Sequence, residues 1–137
     1  YRVACLWLRN GEEVLLAQRA LDKKKDPGLW GPAVAGTVEK GESYFSNIIK
    51  ESQEELGLKN IKPIKGIKTR IRSPHNHFTQ WFVLDINTRI PINFNSEVAK
   101  VKWFSISRLG KEIKEHPEKF VYSLINAYKD LFNQSSS

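Results

Sequence analysis

The sequence predicts an α/β (α+β) fold, a mixed, curved β-sheet sandwiched between helices. Three observations carry that expectation. Apolar runs of strand length recur at residues 3–8, 14–17 and 79–86, helical period takes over at Ser43 and again near the C-terminal end, and no repeat, linker or low-complexity block separates them. A chain of 137 residues has the size of one ordinary domain, able to bury roughly two-thirds of its unfolded surface. Residues 1–132 are assigned to that domain and residues 133–137 to a polar, disordered tail.

The first two runs flank Asn10-Gly11, which predicts a hairpin with a tight turn. Residues 20–32, with Lys23-Lys24-Lys25-Asp26-Pro27-Gly28 and Gly31-Pro32, read as an exposed loop, followed by a short strand over residues 33–38. Ser43 is the expected N-cap and Gly57 the expected stop of a helix. Its apolar stripe contains Phe45, Ile48, Ile49, Ser52 and Leu56, with Lys50, Glu51, Glu54 and Glu55 away from it. Residues 61–72 and 79–86 read as paired strands joined by Ser73-Pro74-His75-Asn76. A strand over residues 98–104 precedes a short helix starting at Ser105. Pro117 suits a first helical position, and Phe120, Val121, Leu124, Ile125, Tyr128, Leu131 and Phe132 form the apolar stripe of a terminal helix.

No apolar run approaches the ~20 residues a membrane helix needs, so no membrane partner is expected. Cys5 is the only cysteine, which excludes an internal disulfide and points to a reducing, cytoplasmic setting. The net charge of +7 favours an anionic partner, because a positive field raises the local concentration of polyanions.

Glu51, Glu54 and Glu55 stand at i, i+3 and i+4, so one helix face gathers three carboxylates within about 5–6 Å. Like charges so placed repel unless a cation lies among them, and oxygen ligands select a hard cation such as magnesium or manganese. Before the helix, Gly36-Thr37-Val38-Glu39-Lys40-Gly41-Glu42 lets the backbone approach closely and adds a carboxylate. Taken together, Gly36, Glu42 and Lys50-Glu51-Ser52-Gln53-Glu54-Glu55-Leu56-Gly57-Leu58 resemble the Nudix box, with its spacing kept over residues 36–58. Two positions depart from the family pattern: Lys50 replaces an arginine, losing the planar fork, and Ser52 replaces a bulky apolar residue.

The resemblance implies a Nudix fold and magnesium- or manganese-dependent cleavage of a phosphoanhydride bond, with a small-molecule nucleotide as partner. It implies that Glu51, Glu54, Glu55 and the Ala35 carbonyl hold the metal, with Glu42, Lys50 and Gly36 supporting them. The catalytic carboxylates it implies are Glu51 and Glu54, with Glu97 on a later loop as the other candidate base. Arg19 resembles a phosphate-binding arginine of relatives. Arg70 and Arg72 are further phosphate donors, and Trp30 and Phe78 are candidates to stack on a base. The segment Lys25-Asp26-Pro27-Gly28-Leu29-Trp30 resembles the branch that includes isopentenyl diphosphate isomerases. Those isomerases need a cysteine where Ala35 stands, which disfavours isomerisation. The other alternative is a catalytically silent Nudix-fold module that binds RNA, and a homodimer is left open.

Overall fold

The computed structural model describes residues 1–72, 76–87 and 90–135, with side chains through residue 132. The connection at Ser73, Pro74 and His75 and the last two serines lie outside the described residues. The elements are β1 (Arg2–Asn10), β2 (Glu13–Arg19), β3 (Trp30–Pro32), β4 (Val34–Thr37), α1 (Tyr44–Leu56), β5 (Ile64–Ile71), β6 (His77–Ile86), β7 (Val98–Ser105), α2 (Ile106–Glu115) and α3 (Tyr122–Ser135). Strand order is β3-β2-β1-β6-β5, with β7 also on β2 and β4 also on β1. β1 and β6 run parallel, and the other pairs are antiparallel.

Both faces of β1 are covered, which is why it reads as an unbroken apolar run. Ala4, Leu6 and Leu8 face a core shared with Ile48 and Leu56 of α1. Cys5 and Trp7 face a second core, closed by Leu109 and Ile113 of α2 and Leu124, Ala127 and Leu131 of α3. Helices thus cover both sides of the sheet, as expected. Each fully buried leucine or isoleucine here contributes about 1.5–3 kcal/mol of burial free energy. No described helix is long and apolar enough to cross a membrane.

The β1–β2 hairpin stays paired for only three residue pairs, Asn10 with Glu13 through Leu8 with Leu15, turning at Gly11 with φ 61°. Beyond that the strands diverge, and residues 30–37 fill the opening. Trp30–Pro32 pair with β2, then Val34–Thr37 pair with β1. The segment expected to stay a loop through residue 32 therefore ends in a strand. Pro32 is tolerated there because β3 lies at the end of the strand order, where a missing N–H need not break a ladder on both sides.

α1 has the predicted ends. Ser43 Oγ accepts from the Ser46 amide at 3.0 Å and Ser46 Oγ accepts from the Ser43 amide at 3.1 Å, a reciprocal capping box. Gly57 adopts φ 70°, and its amide and that of Leu58 close onto the Gln53 and Ser52 carbonyls. The buried face is rotated from the expected stripe: Phe45 is half exposed, while Asn47 and Glu55 are buried with Ile48, Ser52 and Leu56. The rotation turns a carboxylate and an amide toward β4. At the C-terminal end, Pro117 opens a 3-10 turn (Pro117–Lys119) instead of the helix, because Phe120 is drawn into a bridge with Trp30. α3 starts at Tyr122 and carries helical backbone through Ser135, three residues into the stretch expected as a tail.

Candidate active site

Between the end of β2, β4, α1 and the start of α3 lies a cleft of about 760 Å³, within the range of small-ligand sites. Its lining holds the carboxylates of Glu51, Glu55 and Glu97 together with the cations of Arg19, Lys23 and Lys25. Cys5, Ala35 and Thr79 form part of its apolar floor.

The acidic wall is built by the packing of α1 on β4. Gly36 lies so close to the helix that a Cβ there would stand 2.5 Å from Glu51 Cγ and 2.6 Å from Asn47 Oδ1. Only glycine fits, and Glu51 lies against the strand backbone as a result. Glu55 is 7% exposed. Burial, then the hydrogen bond and charge of Glu51 and the charge of Glu97, push its carboxyl well above the usual range, against a backbone hydrogen bond at Ala35. Glu51 and Glu55, side by side at the cleft, form a donor set suited to a hard divalent cation.

Glu97 reaches the cleft through the cap of α1. The amides of Asn93 and Asn95 donate to the carbonyls of Leu56 and Glu55 at 3.1 and 3.0 Å, and Asn95 Nδ2 donates to the Glu54 carbonyl at 3.1 Å. Asn95 Oδ1 then accepts from the Glu97 amide at 3.0 Å, and the Glu97 carbonyl accepts from the Ala20 amide at 3.1 Å. Lys23 Nζ stands 3.6 Å from the Glu97 carboxylate.

Behind the acidic wall, Lys50 bonds Glu42 at 2.8 Å and stands 3.9 Å from Glu51. Glu42 also accepts from the Glu39 amide at 2.8 Å and from Asn47 Nδ2 at 3.3 Å. The Lys50 hydrogen bond, helped by the Glu39 amide, holds the Glu42 carboxyl down at about 2. Lys50 thus links Glu42 to Glu51, a part for which the family pattern has arginine.

Of the expected site residues, Arg19, Ala35, Gly36, Glu51, Glu55 and Glu97 come together. Glu54 is exposed one turn away, outside the cleft lining, and among the described residues no three His, Cys, Asp or Glu side chains are gathered as a ready metal centre. A register irregularity between Gln18 and Arg19 precedes the turn of Arg19 into the cleft, where its Nε donates to the Lys25 carbonyl at 2.9 Å. Arg70 and Phe78 do not reach the cleft. They are register partners on the opposite face from Thr79 and His77, whose side chains do line it. Arg72 is exposed beyond the end of β5, outside the cleft lining. Trp30 is packed edge-on against Phe104, with centroids 5.2 Å apart, and serves the core edge.

Sequence reasoning missed two contributors. Tyr122 lines the cleft while 61% exposed, and Thr79 lines it while 1% exposed with an unpaired hydroxyl. No local signal marks either, since their placement depends on how α3 and β6 meet. The thiol of Cys5 faces Ala35 across the β1–β4 ladder, and burial followed by the charge of Glu55 raises its pKa far above the ordinary value, which leaves it protonated.

A model of the NUDIX domain matches residues 1–124. Isopentenyl-diphosphate Delta-isomerase of Cereibacter sphaeroides is 31% identical over 122 residues, covering 84% of this chain and 69% of that protein. The crystal structure of a Deinococcus radiodurans protein superposes with a TM-score of 0.82 at 20% identity, over 94% of this chain and 81% of the other. A bifunctional NMN adenylyltransferase/ADP ribose pyrophosphatase of Francisella tularensis, complexed with AMP and a Mn ion, gives a TM-score of 0.78 at 17% identity, over 98% and 42% of the two chains. The gap-free box, the helices on both sides of a mixed sheet and the match along most of the sequence agree: the chain belongs to the Nudix family.

Proposed function

We propose that this chain hydrolyses a phosphoanhydride bond in a nucleoside diphosphate-type substrate, with magnesium or manganese as cofactor. The observation that carries the reading is one cleft lined both by carboxylates, Glu51, Glu55 and Glu97, and by cations, Arg19, Lys23 and Lys25. A pyrophosphate needs both: cations for its oxygens, and oxygen ligands for the metal that accompanies it.

The residues fit a hard cation. The donors are carboxylates, Gly36 leaves no room for a Cβ between strand and helix, and the buried Glu55 beside Glu51 is a pair whose repulsion a dication offsets. Glu51, Glu54 and Glu55, with the Ala35 carbonyl, are the residues that would hold it. A bound dication of this kind neutralises charge on phosphate oxygens and lowers the pKa of water. Arg19, Lys23 and Lys25 bind and orient the phosphates. Glu97, already at the cleft, or Glu54, one helical turn from Glu51, takes the proton from the attacking water. Tyr122 offers an exposed ring at the rim for the base. Glu42 and Lys50 keep Glu51 in place without touching substrate.

The second reading, isomerisation of isopentenyl diphosphate, is favoured by the names of the curated relatives and by Cys5 facing Ala35 in the cleft. The protonated, buried state of that thiol argues against its replacing the missing cysteine. A panel of nucleoside di- and triphosphates, ADP-ribose, dinucleoside polyphosphates, capped RNA and isopentenyl diphosphate, assayed with magnesium and with chelator, tests both. Phosphate or pyrophosphate release that chelator abolishes supports hydrolysis. Conversion of isopentenyl diphosphate alone, with every anhydride untouched, overturns it.

A further inference from the structure

The α1 side of the sheet carries a second cluster, which adjoins the cleft at Tyr1. Register sets Arg2 on one side of Phe78 and Arg70 on the other, across β1, β6 and β5. Lys68 stands two residues from Arg70, and Tyr44 opens α1 beside the row. Cation and ring alternate at close range. Arg70 Cζ lies 5.0 Å and Lys68 Nζ 5.5 Å from the Phe78 centroid, while Lys68 Nζ lies 4.9 Å and Arg2 Cζ 5.4 Å from that of Tyr44. Tyr1, Arg2, Tyr44, Lys68 and Phe78 line one shallow, open groove.

None of the three cations takes part in the ion pairs found among the described residues. Arg2 donates to the carbonyl of Glu39, not its carboxylate, and Arg70 Nε to Asn76 Oδ1 at 3.0 Å. β5 is a sheet edge, paired only with β6, and edge strands often carry lysine to block pairing with other chains. That role accounts for Lys65, Lys68 and Arg70 but not for the aromatic ring beside them on the neighbouring strand β6, where Phe78 is 36% exposed.

We propose that this face, formed by Arg2, Tyr44, Lys68, Arg70 and Phe78, binds single-stranded nucleic acid. Cations in a groove track the phosphate chain, and the rings stack unpaired bases. A duplex presents the same charge but hides its base faces. An anionic membrane surface is entered by side chains on protruding loop tips, whereas Phe78 lies on β6, flanked by β1 and β5. An acidic peptide would satisfy the cations and leave both rings unused. The net charge of +7 adds a favourable long-range field.

The test is fluorescence anisotropy of the full chain with short labelled oligouridylate, oligothymidylate, a duplex of equal length and phosphatidylglycerol vesicles. The single strands bind most tightly. Phe78→Ala weakens them about tenfold and Phe78→Tyr restores them. Lys68→Gln lowers the slope of log K against log salt by about 0.7. Glu51→Gln binds the oligonucleotides as the parent does, which separates this site from the cleft and from any failure of the hydrolase reading. Circular dichroism and melting confirm that each variant is folded. The proposal is overturned if single strands bind no tighter than duplex or vesicles, if folded Phe78→Ala binds like the parent, or if Glu51→Gln abolishes binding.

Discussion

Replacing Gly36 by alanine places one methyl group where strand β4 and helix α1 touch. Its Cβ would sit 2.5 Å from Glu51 Cγ and 2.6 Å from Asn47 Oδ1, both under the distance real Cβ atoms keep. Asn47 is fully buried, and its Nδ2 is bonded to the Thr37 carbonyl at 3.0 Å, so it cannot swing aside without breaking that bond. Glu51 must move, or α1 must slide off the sheet. Overpacking of this kind costs about 1–3 kcal/mol. For a domain of this size that lowers Tm by roughly 3–10 °C. Displacing a catalytic carboxylate by an ångström costs about a hundredfold in rate. Differential scanning calorimetry and steady-state hydrolysis of the best substrate read the two effects separately. A Gly36→Ala protein with parental Tm and parental kcat would refute the claim that the strand backbone sets the position of Glu51.

Lys50→Met breaks the link between Glu42 and Glu51 and lowers activity about 10–100-fold, the usual effect of losing a group behind a metal ligand, while Lys50→Arg keeps activity. Equal rates for both variants would show that Lys50 plays no positioning part. Glu42 has a folded pKa below its unfolded one, so its contribution is present above the ordinary carboxylate range and is lost as pH falls through about 2. Urea unfolding of Glu42→Gln should therefore show reduced stability at neutral pH and a difference from the parent that shrinks on acidification; a constant difference would contradict the assignment. Cys5→Ala is expected to lose about 1 kcal/mol of stability and to keep hydrolytic rates within about twofold, because the thiol packs and does not react. Loss of turnover in a folded Cys5→Ala protein would restore the case for thiol chemistry.

Some of this architecture could be read from local chemistry and some could not. The ends of α1 were legible because Ser43 and Gly57 act within one turn of themselves. The hairpin at Asn10-Gly11 was legible for the same reason. β3 was not, since three residues that include glycine and proline carry no period, and only their pairing with Leu16, Ala17 and Gln18 makes them a strand. The buried face of α1 was misjudged because hydrophobicity pointed to Phe45, whereas Asn47 and Glu55 are buried where they meet the β4 backbone, at Thr37 and at Ala35. Glu51, Glu55 and Glu97 were found through the box and its surroundings. The side of the sheet on which Arg70 and Phe78 emerge could not be found that way: alternation tells which residues share a face, and the packing of the helices decides which face holds the cleft.

The account rests on the α1 carboxylates holding the divalent cation that hydrolysis needs. Manganese titration followed by electron paramagnetic resonance, on the parent and on Glu51→Gln and Glu55→Gln, measures this directly. The account predicts saturable binding by the parent, binding weakened at least tenfold in each variant, and turnover that rises with occupancy. Parental manganese affinity in both folded variants, or hydrolysis that continues in excess chelator, would contradict it.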